Sequence, residues 1–157
     1  ALAEESEIKL RSCNFVLHGF AESQKENIEE VKQRDIEIVT NFIAELGVEM
    51  DYKSIFRLGK ITNAQSKRPI KVIMHSEKDK ISIMANLNKL KGKEMYKGIS
   101  VTDDHTLGDR NTIRTWVEKA KSANEKEDPA SDYVWKCRGT PKNGMFLKKF
   151  KKLQASV

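Results

Sequence analysis

Arg68-Pro-Ile-Lys-Val-Ile-Met-His-Ser-Glu-Lys-Asp79 contains a strand and the start of the helix that follows it. Pro69 fits the first strand position, where its missing N–H costs little, and Ile70, Val72 and Met74 alternate with Lys71, Ile73 and His75. Ser76 offers an N-cap hydroxyl and Asp79 a carboxylate three residues on, the form of a capping box. The helix that opens there has Ile83, Met84, Leu87 and Leu90 as its apolar stripe and Gly92 as its stop. The elements on either side decide the fold class.

Upstream, Tyr52 to Gly59 reads as a strand in which Phe56 and Leu58 alternate with Ile55 and Arg57, and the polar, basic stretch from Lys60 to Arg68 reads as an exposed loop. Before that strand, Val39, Phe42, Ile43 and Leu46 repeat at i, i+3, i+4 and i+7, which predicts an amphipathic helix from about Glu30 to Leu46, stopped by Gly47. An acidic, apolar-poor linker from Glu22 to Glu30 separates it from a first strand, Asn14 to Phe20, broken by Gly19. Downstream, Gly98 to Thr102 is a fourth strand. The order β-α-β-β-α-β over residues 13–103 predicts an α+β domain, an antiparallel four-stranded sheet with both helices on one face. Past Asp103, Asp104 or Thr106 can cap a third helix with Ile113, Trp116, Val117 and Ala120 as its apolar stripe. A polar break around Asp128-Pro129 follows. Tyr133–Gly139 and Met145–Phe150 then read as a hairpin around Thr140-Pro-Lys-Asn-Gly144. Residues 104–157 are thus expected to form a small helix-plus-hairpin domain with a basic tail, and residues 1–12 an N-terminal segment.

Charge is segregated along the chain. Residues 1–51 carry 5 Lys+Arg against 12 Asp+Glu, residues 52–157 carry 24 against 11, and Tyr133 to Val157 contains no acid at all. Such asymmetry points to a polyanionic partner. No apolar run approaches the roughly 18 residues of a membrane span, and Ala1-Leu-Ala-Glu-Glu lacks the parts of a signal peptide. A soluble, intracellular protein with no membrane partner is the expectation. Cys13 and Cys137 stand too far apart for a thiolate zinc motif and read as reduced thiols on two strands.

A β-α-β-β-α-β domain leaves one sheet face uncovered, and RNA-recognition motifs stack bases on aromatics there. Here the equivalent positions hold Val16 with His18, and Pro69 with Lys71, so the face offers charge and one imidazole, which favours backbone contact over base readout. Arg110, Arg114 and Lys121 fall at i, i+4 and i+11 on one side of the third helix. In the hairpin Tyr133, Trp135 and Phe146 interleave with Lys136, Arg138 and Lys148, a mixture suited to single-stranded nucleic acid, with Trp135 weighted towards packing. Asp103-Asp-His105 reads as strand-end and capping residues rather than a metal site. No Ser/His/Asp order, Gly-rich phosphate loop or carboxylate pair argues for catalysis, and no cofactor is expected.

Asn14-Phe-Val-Leu-His-Gly-Phe-Ala-Glu-Ser23, Ile55-Phe-Arg-Leu-Gly59, Arg68-Pro-Ile-Lys-Val72, Ile99-Ser-Val-Thr-Asp103 leading into Arg114-Thr-Trp116, and Val134-Trp-Lys-Cys-Arg-Gly-Thr-Pro141 together resemble the first open-reading-frame protein of LINE-type non-LTR retrotransposons. The resemblance runs in order from about residue 12 to 150. Proteins of that family have a trimerising coiled coil, a non-standard RNA-recognition motif and a C-terminal domain of helices and a hairpin. They bind the element's RNA and single-stranded DNA, act as nucleic-acid chaperones and coat the transcript in a ribonucleoprotein particle. The resemblance implies RNA-binding roles for Arg114, for Lys67, Arg68 and Lys71 of the loop and strand edge, and for Arg138 of the hairpin. It also implies a cytoplasmic ribonucleoprotein, with the nucleus as the alternative. Leu2, Ile8 and Leu10 are too few for a heptad pattern, so a homotrimer follows only if a coiled coil precedes this chain.

The expected function is therefore non-enzymatic binding and remodelling of single-stranded RNA or DNA. Arg57, Lys71, Arg114 and Arg138 would line a groove between the sheet domain and the C-terminal domain, supported by Lys67, Arg68, Arg110, Lys121, Lys136 and Lys148. A protein-interaction or self-association module on the same fold is the alternative.

Overall fold

The computed structural model describes residues 2–24, 27–61 and 67–153. The expected linker (22–30), the loop (60–68) and the end of the basic tail lie partly outside the described residues. In β3 (Ile70–Met74) alternation becomes geometry, with Ile70, Val72 and Met74 buried on one face and Lys71 and Ile73 half-buried on the other. It pairs antiparallel with β1 (Asn14–His18) and β2 (Tyr52–Arg57), and β1 pairs antiparallel with β4 (Ser100–Asp103). The sheet order is β2-β3-β1-β4.

The helix between β1 and β2, α2 (Ile28–Glu45), starts earlier than its apolar stripe suggests, because Asn27 Oδ1 caps it by accepting the Glu29 N–H at 2.9 Å. Gly47, at φ +70°, ends it and donates to the Ala44 carbonyl at 2.9 Å. The helix after β3, α3 (Glu77–Ala85), opens with the Asp79 N–H donating to Ser76 Oγ at 3.1 Å. It stops well short of Gly92. Asn86 donates its side-chain amide to the Ser82 carbonyl at 2.7 Å, and the chain continues through 3₁₀ turns at Leu87–Leu90 and Glu94–Tyr96.

Phe15, Leu17, Ile70, Val72 and Met74 form one cluster with Val39, Phe42 and Ile43 of α2, Leu46 just past it, Ile83 of α3 and Tyr96. Both helices therefore cover the same sheet face. Each large side chain so buried contributes about 1.5–3 kcal/mol. Ahead of the sheet, α1 (Leu2–Arg11) buries none of its residues and is tied to the unit by Arg11 Nη1 on Asp104 Oδ1 at 2.8 Å.

The chain divides into two compact units between Asp104 and His105. In the second, α4 (Leu107–Lys126) is capped by Thr106 Oγ1, which accepts the Asp109 N–H at 3.1 Å. A two-stranded antiparallel sheet follows, β5 (Tyr133–Thr140) paired along its length with β6 (Gly144–Lys151). Thr140 pairs with Gly144, so three residues, Pro141 to Asn143, make the loop. A side chain at Gly139 would fall 2.2 Å from the Gly144 carbonyl oxygen, and with φ at +89° only glycine fits. The stripe expected on α4 is covered unevenly: Ala120 is buried, Ile113 and Trp116 are half-buried and Val117 is exposed. Both cysteines are free, with Cys137 in β5 and Cys13 just before β1 rather than in a strand. Among the described residues no helix is long and apolar enough to cross a membrane.

Candidate nucleic-acid interface

Two of the expected contacts are structural. Arg57 sits on the helix-facing side of β2, its side chain only 5% exposed, with Nη2 on Asp35 Oδ1 at 2.8 Å. Its Nη1 donates to the carbonyls of Phe20 at 2.7 Å and Arg68 at 2.6 Å, so no donor edge is left for a phosphate. Arg68 grips Glu22 with Nε and Nη2, both at 2.7 Å, and donates Nη1 to the Gly59 carbonyl. The hydrogen bond to Glu22 holds the Arg68 pKa above its ordinary value, against the effect of burial. Arg57 and Arg68 are therefore withdrawn from the expected interface, because internal carboxylates already use the fork that a phosphate would need. Lys71 is half committed: Nζ lies 3.0 Å from Asp104 Oδ2 and 5.7 Å from the Phe56 ring centre. Lys67 is exposed.

On the sheet face away from the two helices, Phe56, Lys71, Val16 and Thr102 stand side by side on the four strands, with Val16 buried. His18 Nε2 is 3.0 Å from Thr102 Oγ1. Phe56 is 46% exposed, an aromatic surface on this face that the sequence reading left unassigned. The register sets Phe56 opposite Lys71 while its neighbours Ile55 and Arg57 stand opposite the buried Val72 and Ile70, which places Phe56 on the other face. Asp103 and Asp104 point to opposite faces: Asp103 pairs with Lys80 at 2.8 Å, whereas Asp104 accepts from Arg11, Asn14 and Lys71. Burial works to raise the Asp104 pKa, but the Asn14 and Lys71 hydrogen bonds and nearby cations outweigh it and leave the group below the ordinary aspartate value. Among the described residues no group of three His, Cys, Asp or Glu could hold a metal ion.

In the second unit the hairpin register sorts the remaining candidates. Tyr133, Trp135 and Lys149 share the inner face, and Val134, Lys136, Arg138, Phe146, Lys148 and Phe150 share the outer one. The expected mixture of aromatics and cations is thus split, with only Phe146, 50% exposed, on the side of the cations. Phe150, not anticipated as a site residue, is the centre of the group. Its ring has Arg138 at 4.6 Å, Lys148 at 5.4 Å and Lys136 at 5.8 Å. Lys136 and Lys148 are direct cross-strand partners. None of the three forms a salt bridge with a carboxylate among the described residues.

The outer face continues into an open cleft of about 660 Å³ between α4 and β5, where Lys121, Lys136 and Arg138 surround Val117 and Trp135, with Glu125 as the acid on the rim. Arg114 and Arg110 lie one and two turns before Val117 on the same side of α4, both exposed. The cleft is held by Asn124, whose side chain donates to the Trp135 carbonyl at 2.9 Å and accepts its N–H at 2.7 Å, closing the free edge of β5. Glu127 completes the clamp, accepting from Trp135 Nε1, Ser131 Oγ and Lys149 Nζ, each at 3.0 Å.

Hydrogen bonds from Lys149, Trp135 and Ser131 depress the Glu127 pKa. A depressed carboxylate stabilises the fold above its unfolded pKa and loses that contribution as pH falls through its lower folded value. Both tryptophans lie in this unit, so their emission should show the hairpin loosening from the helix as pH drops below about 4.3. Glu127→Gln should flatten that part of the pH profile, and an unchanged profile would refute the clamp.

The chain matches no known family model, and no curated protein matches its sequence.

Proposed function

We propose that this protein is a non-enzymatic binder of single-stranded RNA or DNA that anneals and remodels strands. The observation that carries this reading is the outer hairpin face, where three cations crowd one aromatic ring and two lysines face each other with no carboxylate between them. Like charges directly opposite destabilise a hairpin, so a chain that keeps them gains when a polyanion lies across the pair. Phe146 and Phe150 supply ring faces to which bases of any sequence can stack. Contacts of this kind are charge-based and mobile, which lets strands exchange partners.

The strand order β2-β3-β1-β4 with both helices on one face is also the arrangement of an RNA-recognition motif, and it supports that assignment for the first unit. With a helix-plus-hairpin second domain, the arrangement fits the first open-reading-frame protein of LINE-type retrotransposons. Its partner on this reading is the element's own transcript, coated in a ribonucleoprotein particle. Self-association is favoured by α1, which exposes Leu2 and Leu10, and a trimer follows if a coiled coil precedes that helix.

Titrating a labelled single-stranded oligonucleotide at several salt concentrations tests the proposal. Five contacts from Arg114, Lys121, Lys136, Arg138 and Lys148 give an expected slope of log K against log salt of about −3.5, at about −0.7 per phosphate on a single strand. Arg114→Ala should make the slope shallower by about 0.7. A slope near zero removes the nucleic-acid reading, and an Arg114→Ala chain that binds unchanged but still self-associates favours the protein-interaction alternative.

A further inference from the structure

We propose that Thr140 is a phosphorylation site for a proline-directed protein kinase, and that phosphate there turns down the cationic hairpin face. The switching half rests on the nucleic-acid reading above. Of the three prolines, only Pro141 follows a hydroxyl residue, since Pro69 follows Arg68 and Pro129 follows Asp128. Thr140 is exposed, at the last position of β5. A residue before proline is held in the extended conformation and the strand end enforces the same shape up to Thr140, so a kinase groove takes this site once the loop of Pro141 to Asn143 opens. Thr140 Oγ1 accepts the Asn143 N–H at 3.1 Å, which fixes the hydroxyl at the base of the loop.

The position on the sheet decides the consequence. Lys136, Arg138 and Thr140 follow one another at every second residue, so Thr140 is on the outer face, about 7 Å along the strand from Arg138. In the transfer, Thr140 Oγ attacks the γ-phosphorus of ATP and the Oγ–P bond forms. The bond from that phosphorus to the β,γ-bridging oxygen breaks, ADP leaves, and the hydroxyl proton passes to the base of the kinase. The product adds about −1.5 to −2 charges and three acceptor oxygens. Arg138, whose guanidinium lies over Phe150, and Lys142 in the loop are the cations nearest in sequence to receive it. Each cation drawn to the internal phosphate is lost to a nucleic-acid phosphate.

Incubation of the whole chain with a purified proline-directed kinase and MgATP, followed by tandem mass spectrometry, is expected to place phosphate on Thr140 and none on a Thr140→Ala chain at that position. The modified protein should bind a single-stranded oligonucleotide about fivefold more weakly, with a salt slope shallower by about 0.7, the loss of the Arg138 contact. The Thr140→Ala chain treated alike should keep its affinity. Absence of phosphate at Thr140 overturns the site, and full incorporation with unchanged affinity and slope overturns the switch. Failure of the unmodified chain to bind the oligonucleotide is a separate result, which defeats the proposed function and the switch with it.

Discussion

Replacing Lys136, Arg138 and Lys148 together by alanine is expected to weaken binding of a single-stranded oligonucleotide about 100-fold at low salt, if each contact contributes about 1 kcal/mol and 1.4 kcal/mol is a factor of ten. The salt slope should become shallower by about 2, three contacts at about 0.7 each. The same substitutions should lower the stability of the second unit by only about 1 kcal/mol. Lys136 and Lys148 are direct cross-strand partners, and a like-charge pair in that position opposes folding by about 0.2–1 kcal/mol. The ring of Phe150 works the other way, since each of the three exposed cations over its face gains about 0.5 kcal/mol or somewhat more. Affinity and stability are thus expected to move apart, which is what separates a contact surface from a packing surface. Anisotropy titrations give the first quantity and tryptophan emission during thermal unfolding the second. A triple variant that binds as the parent does, or one that binds weakly only because the hairpin has melted, would end the assignment of this face.

The contrast between Arg57 and Lys136 shows what the sequence could and could not tell. Both are cations in strands that alternate with apolar neighbours, and both were equally plausible contacts. Their fates differ because Asp35, 22 residues before Arg57, comes from α2 to meet it, while among the described residues no carboxylate pairs with Lys136. Pairings over such separations are set by the fold and leave no local signal. Elements whose cause is local were legible: the Val39, Phe42, Ile43 and Leu46 stripe is buried, and Ser76 and Thr106 cap the helices that follow them. On α4 the same periodicity marked the helix but not how far its stripe is covered. Trp116 and Val117 belong to an apolar stripe, yet Val117 stays 50% exposed, because the hairpin is latched at Asn124 and covers the later turns. Period reports which side of a helix is apolar, and a partner element decides how much of that side is covered. In the hairpin, Tyr133, Trp135 and Phe146 looked like one aromatic set until the Thr140–Gly144 register divided them between two faces.

Arg57→Ala is expected to destabilise the first unit by about 3–5 kcal/mol, the usual cost of stranding one member of a buried ion pair. The Asp35 side chain is 11% exposed, and without Arg57 its carboxylate loses the Nε and Nη2 donors that now satisfy it. The carbonyls of Phe20 and Arg68 lose a donor at the same moment. Replacing both charges, Asp35→Leu with Arg57→Met, should recover much of the loss, because apolar groups of similar volume need no partner. Circular dichroism during urea unfolding reads both units and tryptophan emission only the second, where Trp116 and Trp135 both lie, so the transition seen by dichroism and not by emission is that of the first unit. Below the new urea midpoint the Arg57→Ala chain should bind an oligonucleotide as the parent does, since this guanidinium has no donor to spare. Undiminished stability combined with weakened binding would reverse the assignment and return Arg57 to the nucleic-acid surface.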